Sequence, residues 1–270
     1  ALSCGSSASR CCLRHRDVIR RRTAPGTVCA FLDVACGPGY CSREMPRKQI
    51  RAVLFDLDGT LLDTLADIAA AMNTTLERHG LPPHEIEAYR WMVGSGLRKL
   101  VERAVADANG GLPHETMDSL QNGLREEYTQ NPVVYTRPYD GIPALLDALH
   151  ARGVPMAILS NKSDALVQDI VRTLLSGWEF CVVIGLREGV PAKPDPATAL
   201  EAARALGVDP SSVLYLGDTD VDMETAKSAG MHPVGAAWGF REAEELRAAG
   251  AAEIINEPGE LLALIDGSSA

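Results

Sequence analysis

With 270 residues, 46% of them hydrophobic and 23% charged, the chain is long enough for one large or two modest domains around a sizeable core. A formal net charge of -10 argues against a nucleic-acid or anionic-membrane surface, because the summed field repels either partner, and points to a small-molecule partner. No apolar run approaches membrane-spanning length.

The charge is unevenly spread. Residues 1–49 hold nine Lys and Arg against three Asp and Glu, whereas the remainder holds 17 against 33. Six of the seven cysteines (Cys4, Cys11, Cys12, Cys29, Cys36 and Cys41) also fall in this first segment, without zinc-site spacing. Only Cys181 lies beyond it, so the main body is expected to be a reduced, cytoplasmic protein without a disulfide framework. The opening 22 residues are Ser- and Arg-rich, acid-poor and without an apolar period, and residues 1–49 are expected to be a disordered or non-native extension. Within them Thr27 to Tyr40, TVCAFLDVACGPGY, resembles the first motif of S-adenosylmethionine-dependent methyltransferases, but no room follows for the rest of a cofactor fold. Met45 is the expected natural start, with residues 1–44 dispensable.

The body opens on Val53-Leu54-Phe55-Asp56-Leu57-Asp58-Gly59-Thr60, a buried-strand pattern that ends in two carboxylates. Ionised aspartates there cost several kcal/mol unless a metal or a hydrogen-bond network compensates, which makes Asp56 and Asp58 candidate site residues. A helical period follows through Leu65, Ile68, Met72 and Leu76, closed by Gly80 and Pro82-Pro83. Two more amphipathic stretches, Leu97 to Val105 and Met117 to Tyr128, come with no strand pattern between them, so residues 66–136 are expected to form an all-helical insert.

From Tyr139 onward short apolar strands alternate with helices. The strands are expected at Val154 to Leu159, Phe180 to Ile184, Val213 to Leu216, Pro233 to Ala236 and Glu253 to Ile255. This alternation predicts an α/β fold, a Rossmann-like three-layer parallel-sheet core made of residues 50–65 and 137–270. Ligands of such sheets bind beyond the carboxyl ends of the strands. The residues placed there are Asp56 to Thr60, then Ser160-Asn161-Lys162, then Gly217-Asp218-Thr219-Asp220-Val221-Asp222. Lys193 precedes a helix with Asp195 as its expected N-cap and Pro196 as its first residue. Carboxylates from two strand ends suit Mg²⁺, while Ser160, a helix start after Ser163 and Lys193 suit a phosphate.

With these motifs in this order, Ile50 to Leu264 resembles the haloacid dehalogenase superfamily of phosphatases, and within it the phosphoglycolate phosphatase-like branch with a helical cap. The resemblance implies Asp56 as the nucleophile that forms an aspartyl-phosphate and Asp58 as the acid/base. It implies Thr60, Ser160, Asn161 and Lys193 at the phosphate, and Asp56, the backbone carbonyl of Asp58, Asp218 and Asp222 around Mg²⁺. It further implies a monomer or homodimer acting on a small-molecule phosphate ester, with 2-phosphoglycolate first. Sugar or amino-sugar phosphates, pyrophosphate, a phosphosugar mutase and a non-catalytic binding module are the alternatives. The cap segment Val93-Gly94-Ser95-Gly96-Leu97-Arg98 lies where relatives place a specificity loop; its two glycines permit a tight turn whose backbone N–H groups, with Arg98 nearby, are expected to meet a carboxylate, the alternative being a plain helix-start loop.

Overall fold

The run Ala52–Phe55 (β1) is buried at every position, as expected of a strand covered on both faces. The computed structural model describes residues 49–106 and 111–267 and places β1 inside a six-stranded sheet. The readings made for residues 1–48, including the methyltransferase-like stretch and the start at Met45, lie outside the described residues. From β1 the chain passes through Leu62–Asp63 (β2) into Leu65–Arg78 (α1), a 3-10 turn over Ile86–Trp91, Leu97–Ala104 (α2) and His114–Gln130 (α3). It returns through Arg137–Pro138 (β3), which pairs antiparallel with β2.

Then follow Ile142–Ala151 (α4), Met156–Ser163 (β4), Asp164–Leu174 (α5), Val182–Leu186 (β5) and Ala197–Leu206 (α6). The chain continues through Val213–Gly217 (β6), Asp220–Ser228 (α7), His232–Ala236 (β7), Ala243–Ala249 (α8), Glu253–Ile255 (β8) and Leu261–Ile265 (α9). The strand order is β5-β4-β1-β6-β7-β8, parallel throughout.

Side-chain alternation along β1 separates the layers. Val53 and Phe55 join Leu145, Leu149, Val167 and Ile170 of α4 and α5 on one face, while Ala52 and Leu54 join Ala199, Ala203 and Ala226 of α6 and α7 on the other. The α/β three-layer architecture is therefore the one expected. The strand expected at Glu253 to Ile255 is β8 itself, while other limits moved by a residue or more: β4 runs on to Ser163, with a register shift between Leu159 and Ser163 where the site residues stand. The α6 boundary also differs, since Pro196 is the N-cap, but the Asp195 carboxylate still accepts from the Ala197 N–H at 2.9 Å and serves the first turn.

The helices between β2 and β3 bury a core of their own, including Met72, Leu76, Tyr89, Leu120 and Leu124. Asp67 of α1 ties this insert to the return segment. Its buried carboxylate accepts from the backbone N–H groups of Val134, Tyr135 and Thr136 and from the Thr136 hydroxyl at 2.6 Å. Asp67→Ala leaves the two buried Thr136 donors without their acceptor, so urea unfolding is expected to show a loss of about 2 kcal/mol. An effect below about 0.5 kcal/mol, the ordinary range for surface changes, would contradict this role.

Candidate active site

Three adjacent strands, β4, β1 and β6, end at one edge and deliver the site. Asp56 follows β1 and keeps its pairing, its N–H donating to Leu216 O at 2.9 Å. The chain then turns at Gly59, whose φ of +85° is a left-handed value, and a Cβ there would lie 2.2 Å from the Asp218 carboxylate. Only glycine allows the two strand ends to approach so closely. Asp218 and Asp222 flank the start of α7, where Thr219 and Asp222 cap each other.

Lys193, from the loop between β5 and α6, sits among these acids. Its buried ammonium donates to Asp56 Oδ1 at 2.8 Å, Asp222 Oδ1 at 2.7 Å and Leu159 O at 3.3 Å. Asp222 also accepts from the Tyr215 hydroxyl and from the Thr219 N–H and hydroxyl. These contacts fill the four acceptor positions of its carboxylate. Asp218 accepts from the Thr60 hydroxyl and the Phe240 N–H, both at 2.8 Å. Asp56, Asp218 and Asp222 each offer an oxygen within 4.8 Å of the others.

So many acids in a buried site repel one another. Burial, then Asp222, push the Asp56 carboxyl well above the usual range against the pull of Lys193. Burial and Asp222 likewise push Asp218 up to about 7. Burial alone would lower the Lys193 ammonium, but Asp222 and Asp56 hold it well above its ordinary value. An all-oxygen donor set short of positive charge fits a hard divalent cation, for which Asp56 and Asp218 have lone pairs to spare.

Asp58 faces away from this cluster, toward the helical insert. Its Oδ1 accepts from Lys162 Nζ at 2.6 Å, and the same ammonium donates to the Tyr128 hydroxyl of α3 at 2.6 Å. Burial works against the Lys162 charge, but Asp58 and Tyr128 raise its pKa overall. Lys162 was not among the expected site residues, although it directly follows Ser160-Asn161. Asp56, Asp58, Ser160, Asn161, Lys162 and Lys193 line one cleft, closed from the insert by Ile68, Val93, Gly94, Gly96, Leu97, Leu100 and Tyr128. The cleft encloses about 40 Å³. A larger cavity of about 650 Å³ lies beside the β2–β3 ribbon, between residues such as Arg137, Trp238 and Pro258, away from the acids.

Two expected phosphate ligands have other employment. The Asn161 amide donates to Lys193 O and Gly94 O and accepts from the Lys193 N–H at 2.9 Å, so it fastens the Lys193 loop and the insert. Thr60 is fully buried outside the cleft and directs its hydroxyl to Asp218. Arg98 is also outside the cleft, held by Asp118 at 2.6 Å and Glu102 at 3.4 Å. Insert and core are joined by further arginine contacts, Arg241 to the carbonyls of Arg90 and Val93, and Arg90 to Gly239 O. Among the described residues no helix is long and apolar enough to cross a membrane.

The fold agrees with the comparisons to known proteins. The family described as haloacid dehalogenase-like hydrolase matches residues 50–230, and the chain belongs to that family. Within it the chain falls in the phosphoglycolate phosphatase-like branch and is a phosphoric monoester hydrolase. It is 38% identical over 192 residues to a phosphoglycolate phosphatase of Aquifex aeolicus, covering 71% of this chain and 86% of the relative. It is 34% identical to an N-acetylmuramic acid 6-phosphate phosphatase of Pseudomonas aeruginosa over 82% of this chain and 97% of that one. A crystal structure of a Lactobacillus delbrueckii subsp. bulgaricus protein superposes with a TM-score of 0.76 at 29% identity, covering 80% of this chain and 98% of the other.

Proposed function

We propose that this protein is a Mg²⁺-dependent phosphatase that hydrolyses a small phosphate monoester, with 2-phosphoglycolate as substrate, through an aspartyl-phosphate on Asp56. The observation that carries the reading is Asp56, gripped by Lys193 at 2.8 Å and flanked by Asp218 and Asp222 at the end of a central strand. A carboxylate nucleophile divides hydrolysis into phosphoryl transfer to Asp56 Oδ and attack of water on the acyl phosphate. Asp58, on the leaving-group side, gives its proton to the departing alkoxide oxygen and then takes one from the attacking water.

Lys193 holds Asp56 and, by releasing its long contact to Leu159 O, reaches a phosphoryl oxygen; Ser160 donates from the facing strand end. Asp56 and Asp218 would hold the cation, which would supply the charge neutralisation an anion needs to attack a phosphate dianion. Asp222, with its acceptors filled, acts behind them as the anchor of Lys193.

The substrate reading rests on the phosphoglycolate phosphatases among the relatives and on the cleft. The cleft between sheet and insert, about 40 Å³, favours a small ester. The Pseudomonas aeruginosa relative favours N-acetylmuramic acid 6-phosphate as the second reading.

A panel of phosphate esters assayed for phosphate release with Mg²⁺ tests both readings. The highest kcat/KM is expected for 2-phosphoglycolate, about tenfold or more above 2-hydroxyethyl phosphate, since a buried ionic contact is worth at least that factor. A maximum on N-acetylmuramic acid 6-phosphate would favour the second reading over 2-phosphoglycolate, a maximum on a neutral sugar phosphate would overturn both, and no Mg²⁺-dependent turnover on any ester would overturn the reaction.

A further inference from the structure

Two ammonium groups line the cleft, and they are not equivalent. Lys193 has an acceptor for each of its three N–H donors, two of them carboxylates of the acid cluster. Lys162 has two acceptors among the described residues, Asp58 Oδ1 and the Tyr128 hydroxyl, and a third donor left over. Its side chain is 4% exposed, so that donor faces little bulk water. Lys162 stands beside Asp58, the side from which the alcohol departs, and the surrounding walls are apolar: Ile68, Val93, Leu97 and Leu100.

We propose that Lys162, steadied by Tyr128, is the specificity-determining residue of this enzyme and binds a carboxylate carried by the leaving group. The proposal rests on the phosphatase reading above and names its substrate class, phosphate esters of small hydroxy acids. A carboxylate in this cleft meets Asp58 and the neighbouring acids, and the other cleft-lining ammonium, Lys193, is committed to Asp56, Asp222 and the phosphoryl group. Without a fixed ammonium it would be repelled; with one, in low-dielectric surroundings, the contact is stronger than in water. Arg98, the cation of the expected specificity loop, spends its guanidinium on Asp118 and Glu102 outside the cleft. The hydroxyl of Tyr128 matters because it comes from α3 of the insert, so the ammonium is oriented only when insert and sheet are together.

The readout is a ratio, kcat/KM for 2-phosphoglycolate divided by that for 2-hydroxyethyl phosphate, which keeps the arm and the poor leaving group but lacks the charge. In Lys162→Met the ratio is expected to fall about 30-fold or more, as for loss of a charge-assisted buried contact. Tyr128→Phe keeps the ammonium and the ring, and a fall of about 3- to 10-fold is expected from loss of one orienting hydrogen bond. Lys162→Arg is expected to restore part of the ratio. If Lys162 only positions Asp58, or serves the phosphoryl group, both esters lose rate together and the ratio stays within twofold, which overturns the proposal. Should Lys162→Met fail to fold, an unchanged ratio in Tyr128→Phe overturns it equally. A wild-type enzyme with no preference for the acid would instead sink the substrate reading, before any variant is made.

Discussion

Asp56→Asn is expected to lower kcat on every phosphate ester by at least about 10⁴-fold, because an amide oxygen cannot form the acyl phosphate. The loss should come without loss of fold. Burial and the Asp222 charge push the Asp56 carboxyl well above the usual range, so the ionised side chain is disfavoured where it stands despite its bond to Lys193. An asparagine removes that repulsion and keeps nearly the same shape. Without metal, the variant is expected to melt no lower than wild type. Two measurements on one preparation check the pair of claims, phosphate release under saturating ester and the thermal midpoint after chelation. Mass spectrometry of acid-quenched wild type during turnover adds the phosphorylated protein, absent in the variant. Turnover within tenfold of wild type would remove Asp56 from the role of nucleophile.

How much of this site could be read in advance depended on where each residue's partners lie. Asp56, Asp58 and Asp218 stand at the ends of apolar strands and Lys193 in a Pro-flanked loop, positions that announce ligand chemistry because nothing else explains charge beside so much buried hydrocarbon. Lys162 falls at the same edge with Ser160 and Asn161 but receives no role from the sequence. Its partner is Tyr128, 34 residues earlier on a helix whose apolar stripe accounts for that tyrosine as ordinary core. Asn161 and Thr60 direct their polar groups to the Lys193 loop and to Asp218, partners a sequence does not reveal, since it shows a hydrogen-bonding group without showing who claims it. Arg98 failed for a related reason: its turn of α2 also carries Glu102, and α3 brings up Asp118, so the charge is consumed on the surface. The layer order was legible from alternation alone, while the register shift in β4 that accommodates Ser160 to Lys162 has no pattern in the residues.

Removal of divalent metal is expected to abolish turnover, and the thermal stabilisation on returning Mg²⁺ is expected to grow from pH 5.5 to pH 8. The sign follows from Asp218, pushed up to about 7 from an ordinary 3.8 by burial and by Asp222. Between those values the unfolded chain has released its proton while the folded protein still holds one. The unfolded state therefore binds fewer protons, and metal-free stability falls as pH rises through this window, reaching its lowest level above about 7. For this single group the loss is on the order of 4 kcal/mol. Asp56, raised in the same direction, adds to it. A divalent cation binds the ionised carboxylates and competes with the protons, so its affinity rises across the same window and levels off above it. At saturating Mg²⁺ the midpoint is expected to rise by about 5 °C or more at pH 8 and by less than half of that at pH 5.5. Asp218→Asn separates this account from a general salt effect: the amide does not titrate, so the variant should lose Asp218's share of the pH dependence of metal-free melting, keep the share of Asp56, and lose most of the Mg²⁺ response. An equal Mg²⁺ shift at the two pH values, or a response that survives in Asp218→Asn, would mean that the ion binds somewhere other than the Asp56–Asp218 edge.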